Sequence, residues 1–293
     1  MTRSVCVIGN FDGVHRGHQR VLAEAMGDGG LPLVVLTFWP HPLSVVRPDS
    51  APLLLADLAS RIELLKQAGA HEVRVVTFTS EVANMSPSQF LERFVLPLNP
   101  ARIVVGKNFR FGHKAAGDVS TLAELGRGRF VVTPVQLESL EGAVTCSTLI
   151  REAIAHGEVE LAAEHLGRPF RSRGVVVMGD QRGRELGFPT ANLRMPPEMA
   201  VPEDGVYAGY VTRLDDPAAK PWPAAISVGS NPTFDGADRR VESYVLDRTD
   251  LELYGIEIAV DFTVRLRGQV KFDGVEALIA QMRLDVELAR QLL

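Results

Sequence analysis

The segment Gly9-Asn10-Phe11-Asp12-Gly13-Val14-His15-Arg16-Gly17-His18 places three glycines and two histidines in one short stretch, a mixture suited to holding an anion. Glycines let backbone N–H groups come close to a ligand, and a helix starting there adds unpaired N–H groups and the positive end of its dipole. The histidines supply donors that can be aimed at phosphate oxygens. A His-x-x-His pair can also bind zinc, but zinc needs further ligands, and no nearby cysteine or carboxylate cluster has a suitable spacing. The segment lacks both the Gly-Lys-Ser/Thr of kinase-type phosphate loops and the Gly-x-Gly-x-x-Gly of dinucleotide folds. Its reading is a phosphate site in which His15 and His18 face the phosphates, with Gly9, Asn10, Phe11, Asp12 and Gly17 as candidate nucleotide- or phosphate-binding residues.

Two further segments of the first half fit that chemistry. Gly106-Lys107-Asn108-Phe109-Arg110-Phe111-Gly112, followed by His113, Lys114 and Gly117, is a basic glycine-rich loop behind an apolar run, and Asn108 is its candidate nucleotide contact. Its other reading is a solvated surface loop. Thr145-Cys146-Ser147-Thr148-Leu149-Ile150-Arg151 opens a helix with hydroxyls, where Ser147 or Thr148 can serve as N-cap and, together with Arg151, as an anion site.

The second half carries Gly179-Asp180-Gln181-Arg182-Gly183-Arg184-Glu185-Leu186-Gly187-Phe188-Pro189-Thr190-Ala191-Asn192. Gly179, Gly183 and Gly187 read as a loop that could wrap phosphates, and Phe188 and Pro189 lie beside them. Thr190 and Asn192 fall on the same side of an extended segment, and their neutral oxygens suit a magnesium ion shared with phosphate. Glu242 shares a strand face with Tyr244 and Leu246, so it is either a candidate base or a solvated edge carboxylate.

The elements that must position these groups change character along the chain. Up to about residue 166, short apolar runs (Ser4 to Ile8, Leu33 to Thr37, Val73 to Phe78, Arg102 to Val105, Phe130 to Val135) alternate with helical patterns. One such pattern runs through Leu58, Ile62 and Leu65, and Ser86-Pro87-Ser88-Gln89 reads as a capping box. This alternation predicts a mostly parallel, doubly wound α/β sheet, with ligands beyond the carboxyl ends of the strands. After Gly167-Arg168-Pro169, the runs Gly174 to Met178, Val206 to Thr212, Ala224 to Val228, Val241 to Leu246 and Ile256 to Leu266 follow one another through polar turns. They predict an antiparallel barrel or sandwich. A closing helix has an apolar face through Val275, Leu278, Ile279, Met282, Val286 and Ala289, with Asp273 and Glu276 expected as cap and N3 residue.

Composition bounds the function. The chain has 293 residues, a formal charge of −5 and 46% hydrophobic residues, with no apolar tract long enough to span a bilayer. That charge gives no footprint for nucleic acid. Only Cys6 and Cys146 are present, which gives no disulfide framework, and the start runs directly into a strand. The expectation is a cytoplasmic protein with small-molecule partners and neither nucleic-acid nor membrane binding. Nothing in the sequence sets an oligomeric state.

With these residues assembled, the chain resembles the prokaryotic bifunctional riboflavin kinase/FAD synthetase family from end to end. Gly9 to His18, Thr37-Phe38 with Pro40-His41-Pro42, Gly106 to Gly112, and Ser147 to Arg151 match adenylyltransferase motifs, and Gly187 to Asn192 matches the flavokinase signature. Gly205-Val206-Tyr207, Asn231-Pro232-Thr233, Leu253-Tyr254-Gly255 and Lys271-Phe272 match as well. Trp39 stands where an acidic residue is common, Asn108 where aspartate is frequent, and Cys146 where a first serine is usual. Leu266-Arg267-Gly268-Gln269 lacks an acid sometimes found there. The resemblance implies a nucleotidyltransferase-like, Rossmann-like domain over 1–167, and over 168–293 a six-stranded antiparallel barrel with a C-terminal helix. It implies a transferase that makes FMN from riboflavin and ATP, then FAD from FMN and ATP, with Mg2+ as cofactor. Within it, Thr190 and Asn192 would hold the metal and Glu242 would be the base. His15, His18, Ser147, Thr148 and Arg151 would stabilise the pyrophosphate.

Overall fold

The computed structural model describes residues 2–27, 30–136, 139–140, 143–179, 186–233, 236–248 and 250–293, with backbone alone at 139–140, 143–144, 231–233 and 236–238. The chain divides into two units, Met1–Ser147 and Thr148–Leu293.

The first unit is built on five strands: β1 (Ser4–Ile8), β2 (Leu33–Trp39), β3 (Glu72–Thr77), β4 (Pro100–Gly106) and β5 (Val131–Val135). They pair in the order β3-β2-β1-β4-β5, every pair parallel. Its helices are α1 (Arg16–Met26), α2 (Pro42–Val46), α3 (Leu58–Gln67), α4 (Ser80–Ala83), α5 (Pro87–Phe90) and α6 (Val119–Leu125). A short ribbon of β6 (Ser139–Leu140) and β7 (Ala143–Val144) follows. The continuous apolar strands of the sequence are what a sheet covered on both faces requires. Val5, Val7, Leu33 and Val35 pack with Val21 and Leu22 of α1 and Leu65 of α3. Cys6, Ile8, Val34 and Leu36 face the other way, toward Phe90, Leu91 and Leu122. Burial pushes the Cys6 thiol up to about 11, so it stays protonated.

The strand order reverses beside β1, which lies between β2 and β4. The crevice at the carboxyl ends of β1 and β4 is therefore the switch point where such sheets bind ligands. The expected capping box is present: the Ser86 side chain accepts from the N–H of Gln89, and the Gln89 side chain accepts from that of Ser86.

The second unit holds a closed barrel of β8 (Phe170–Val177), β9 (Ala191–Arg194), β10 (Gly205–Arg213), β11 (Trp222–Thr233), β12 (Gly236–Val245) and β13 (Glu257–Gly268). Their order is β10-β11-β12-β9-β8-β13, every pair antiparallel. Helix α7 (Ser147–Ala155) crosses the division between units, and α8 (Val159–Leu166) lies against β8 and β13. Val228, Ile226 and Ala224 pair in register with Val241, Ser243 and Val245, and all are buried. Directly opposed residues share a face, so this set lines the lumen, together with the stacked Phe170 and Phe262. The alternate set, Glu242 and Tyr244, is on the outer face.

The last helix, α9 (Val275–Leu292), covers part of that outer face: Ala289 and Val286 pack on Ala208, Ala225 and Leu246. Two expectations about it are corrected. Its N-cap position is Gly274 rather than Asp273 and carries no side-chain cap bond, and Val275 is 57% exposed, because the docking face starts a turn later at Leu278. That face includes Asp285, buried in a two-pronged ion pair with Arg267 of β13 at 2.9 and 2.7 Å.

Candidate active sites

The segment Gly9 to His18 leaves the carboxyl end of β1 and turns into α1. Its backbone is unusual: Phe11, Gly13 and Val14 all have positive φ, at 53°, 79° and 41°. For Phe11 and Val14 such angles cost about 1–3 kcal/mol each, and they persist only where surrounding structure dictates them. Gly9 is required by the same packing, since a Cβ there would stand 2.9 Å from the Phe11 ring.

His15 is the N-cap of α1, its Nδ1 accepting from the His18 N–H at 3.4 Å. That bond assigns the proton of the neutral ring to Nε2, which makes this nitrogen a donor. The two imidazoles stack with centroids 3.6 Å apart, and Phe11 packs edge-on against His18 at 5.1 Å. His18 is held well below the usual histidine range by burial first, then by the charges of His15 and Arg61. Its Nδ1 is buried without a hydrogen-bond partner among the described residues. A neutral His18 ring stacked on His15 at a helix N-terminus, beyond the end of β1, places imidazole N–H donors where an anion can be held.

Asp12, expected beside the phosphates, is instead enclosed. Its carboxylate accepts the N–H groups of Leu55 and Ala56 and pairs with Arg61 at 3.3 Å, and it is 1% exposed. Asn10 offers its carbonyl to Thr37 Oγ1 at 2.9 Å and to Arg61 at 3.0 Å. Gly17 lies where a Cβ would stand 3.1 Å from His15 and 3.3 Å from the Thr145 carbonyl. Ser147 is the first residue of α7 rather than its cap, and its hydroxyl donates to the Asp12 carbonyl at 3.1 Å. These bonds bring Asn10, Asp12, His15, His18 and Ser147 to one turn. Asn108 follows β4 across the switch point, its side-chain oxygen against Gly106, and Phe109 and Phe111 stack beneath the loop at 5.5 Å. Thr148 and Arg151 continue along α7 in the second unit.

Arg61 is the residue packed beneath the turn that the pattern of Leu58, Ile62 and Leu65 passes over. The buried face of α3 consists of Arg61 and Leu65. The available signal is a cation at the i−4 position from Leu65, on an apolar stripe where solvent-facing arginines do not belong.

In the barrel, β9 grows out of the second glycine-rich segment. Asn192 pairs in register with Glu242 on one side and Val177 on the other. Its amide nitrogen donates to the Thr190 carbonyl and hydroxyl, both at 3.2 Å. Gly179 accommodates this amide, because a Cβ there would be 2.7 Å from Asn192 Oδ1. Gly187 takes φ of 86°, a left-handed turn that favours glycine, and the next residue, Phe188, packs edge-on to Tyr244 at 5.3 Å. Pro189 continues the segment, half-buried, and Gly183 lies outside the described residues. Thr190, Asn192 and Glu242 thus gather on the outer barrel face, with Phe188 and Tyr244 beside them. The oxygens of Thr190 and Asn192, around a glycine cradle a Cβ would fill, fit a hard divalent cation that shares phosphate oxygens.

Comparison with known proteins agrees with this division. Residues 1–149 match the FAD synthetase family and residues 166–293 the riboflavin kinase family. A bifunctional riboflavin kinase/FMN adenylyltransferase of Listeria monocytogenes is 37% identical over 98% of this chain and 91% of its own. The protein of the same name from Escherichia coli K12 is 35% identical over 98% and 92%. A crystal structure described as a macrolide-efflux protein from Streptococcus pneumoniae superposes with a TM-score of 0.89 at 34% identity, covering 99% of this chain and 94% of that one. Among the described residues, no helix is long and apolar enough to cross a membrane. With both halves matched in sequence order, and curated relatives matched over nearly their whole length, the chain belongs to the bifunctional riboflavin kinase/FMN adenylyltransferase family.

Proposed function

We propose that the two sites run consecutive reactions, riboflavin + ATP → FMN + ADP on the barrel and FMN + ATP → FAD + pyrophosphate at the β1–β4 crevice, in the cytoplasm where both nucleotide substrates are made. The observation that supports this best is that each unit brings a pair of motif residues together: Asn192 and Glu242 in the barrel, and the stacked His15 and His18 at the sheet's switch point.

On the barrel, Glu242 accepts the proton of the ribityl 5′-hydroxyl as that oxygen attacks the γ-phosphorus of ATP. Thr190 and Asn192 would hold Mg2+, which neutralises phosphate charge when bound. Gly179, Gly187, Phe188 and Pro189 line the nucleotide path. At the crevice, an FMN phosphate oxygen attacks the α-phosphorus of ATP and pyrophosphate leaves. The nucleophile is already ionised, so no general base is required. His15 and His18 donate to the departing phosphates, together with Ser147. Asn10, Phe11 and Asn108 shape the nucleotide pocket, and Gly9 and Gly17 let the turn beside it pack closely. We place the functional boundary at 167/168.

A turnover assay with riboflavin, ATP and magnesium tests this reading. FMN should appear first and FAD second. His18→Ala should halt the course at FMN, while loss of FMN formation in that variant would overturn the assignment of sites.

A further inference from the structure

Arg61 has no exposed side-chain surface, yet it reaches the ends of two neighbouring strands and the turn that follows β1. Its Nη1 donates to the Asn10 carbonyl at 3.0 Å and the Phe38 carbonyl at 3.1 Å, at the carboxyl ends of β1 and β2. Its Nη2 pairs with the Asp12 carboxylate at 3.3 Å, and Trp39 covers the guanidinium at 5.3 Å. A buried ion pair is a poor way to stabilise a core, because apolar residues of similar volume do as well or better. What a planar, always-charged fork supplies is geometry.

The geometry it fixes is the strained one. Asn10 and Asp12 flank Phe11, and Gly13 and Val14 follow, the three positions of positive φ that deliver His15 to the cap of α1. We propose that Arg61 is a positioning residue for adenylyl transfer, clamping the β1–α1 turn in the conformation that aims His15 and His18 at the transferring phosphates. This role rests on the reading of His15 and His18 given above. Arg61 touches no ligand itself, being enclosed by Asn10, Asp12, Phe38 and Trp39. Its positive charge is also one of the influences that keep His18 neutral.

The test is a double-mutant cycle in the full-length chain, with Arg61→Lys, His18→Asn and the pair. FAD formation from FMN and ATP is the readout, and riboflavin phosphorylation by the same molecules reports on folding. Arg61→Lys keeps the charge and loses the fork. It should lower kcat for FAD formation by about 10- to 100-fold, with KM for ATP and FMN within about threefold and riboflavin phosphorylation unchanged. Because Arg61 acts through the turn that carries His18, the double variant should be within about threefold of the worse single. Losses that multiply, or an Arg61→Lys kcat within about threefold of wild type, would overturn the role. A His18→Asn variant with full adenylylation would instead overturn the reading of His18, and the route through it falls too. Should Arg61→Lys lose riboflavin phosphorylation as well, Asp12→Asn runs the same cycle. It keeps an acceptor for the Leu55 and Ala56 N–H groups, and an unchanged kcat there also overturns the role.

Discussion

Glu242 and Asn192 are direct cross-strand partners, joined by the β12–β9 ladder on the outer face of the barrel. In an antiparallel pair, such partners hold their Cβ atoms about 5 Å apart on one face. A carboxylate and an amide at that distance can face one substrate together, the arrangement that the proposed roles of Glu242 as base and Asn192 as cation ligand require. The register sets the spacing, so neither residue depends on loop geometry for its position.

Replacing Glu242 by glutamine keeps shape and removes the proposed base. Riboflavin phosphorylation should fall by about 100-fold or more in kcat, the usual range for a lost proton acceptor, while FAD formation from supplied FMN is unchanged. Separate assays of the two steps on one preparation check this. Equal losses in both would show that the carboxylate supports the fold of the whole chain rather than one reaction.

How much of this was legible follows from the range of the interactions involved. The glycine-rich turn, the parallel strands and the capping box of Ser86 and Gln89 are local patterns, and they appear where the sequence puts them. The pairing of Glu242 with Asn192 is a matter of register between distant strands, so strand alternation could give the face of Glu242 but not its partner. Arg61 was hidden for a similar reason. Its side-chain hydrogen-bond partners Asn10, Asp12 and Phe38 lie 23 to 51 positions away, and in a linear sequence a buried arginine looks like a solvated one. Asp285 likewise interrupts an apolar helix face because Arg267 of β13 meets it there.

His18 gives the first unit a pH signature. Its folded-state value is lowered, so below the unfolded histidine value of about 6.5 the unfolded chain binds a proton that the folded one refuses. Stability is therefore full above about pH 6.5 and declines as pH falls below it, by at most about 1.4 kcal/mol per pH unit from this one group. Urea unfolding followed in the first unit between pH 7.5 and 5, conditions chosen to span about that value, should show this decline in wild type and a shallower one in His18→Asn. Parallel slopes would mean that His18 titrates normally.

Asp285 and Arg267 should be costly to separate. The pair is 8% and 19% exposed, and Gln281 also donates to the same carboxylate at 2.9 Å. Asp285→Asn leaves a largely buried guanidinium without its counter-charge and should destabilise the second unit by about 2–4 kcal/mol, the lower end reflecting the solvent contact Arg267 retains. Replacing both, as Arg267→Met with Asp285→Leu, should recover most of that loss. The urea midpoint of the barrel, read by riboflavin phosphorylation, measures each.

The final prediction concerns where the barrel unit begins. The flavokinase reading starts at residue 168, yet contacts place everything from Thr148 onward with the barrel. Val159, Ala162 and Leu166 of α8 are buried, and α8 lies on β8 and β13. Arg265 of β13 donates from its side chain to the His156 carbonyl at 2.8 Å and from its backbone to Glu160 at 3.1 Å. The Glu203 N–H reaches the Ile154 carbonyl at 3.1 Å. A fragment 168–293 retains Thr190, Asn192 and Glu242 and should phosphorylate riboflavin, but it bares the strand surface that α8 covers. A fragment 148–293 should be more stable by about 3 kcal/mol or more, since each buried apolar side chain is worth about 1.5–3 kcal/mol before unfolded-state compactness is discounted. Equal urea midpoints for the two would make α7 and α8 a tether, leaving the barrel complete from residue 168.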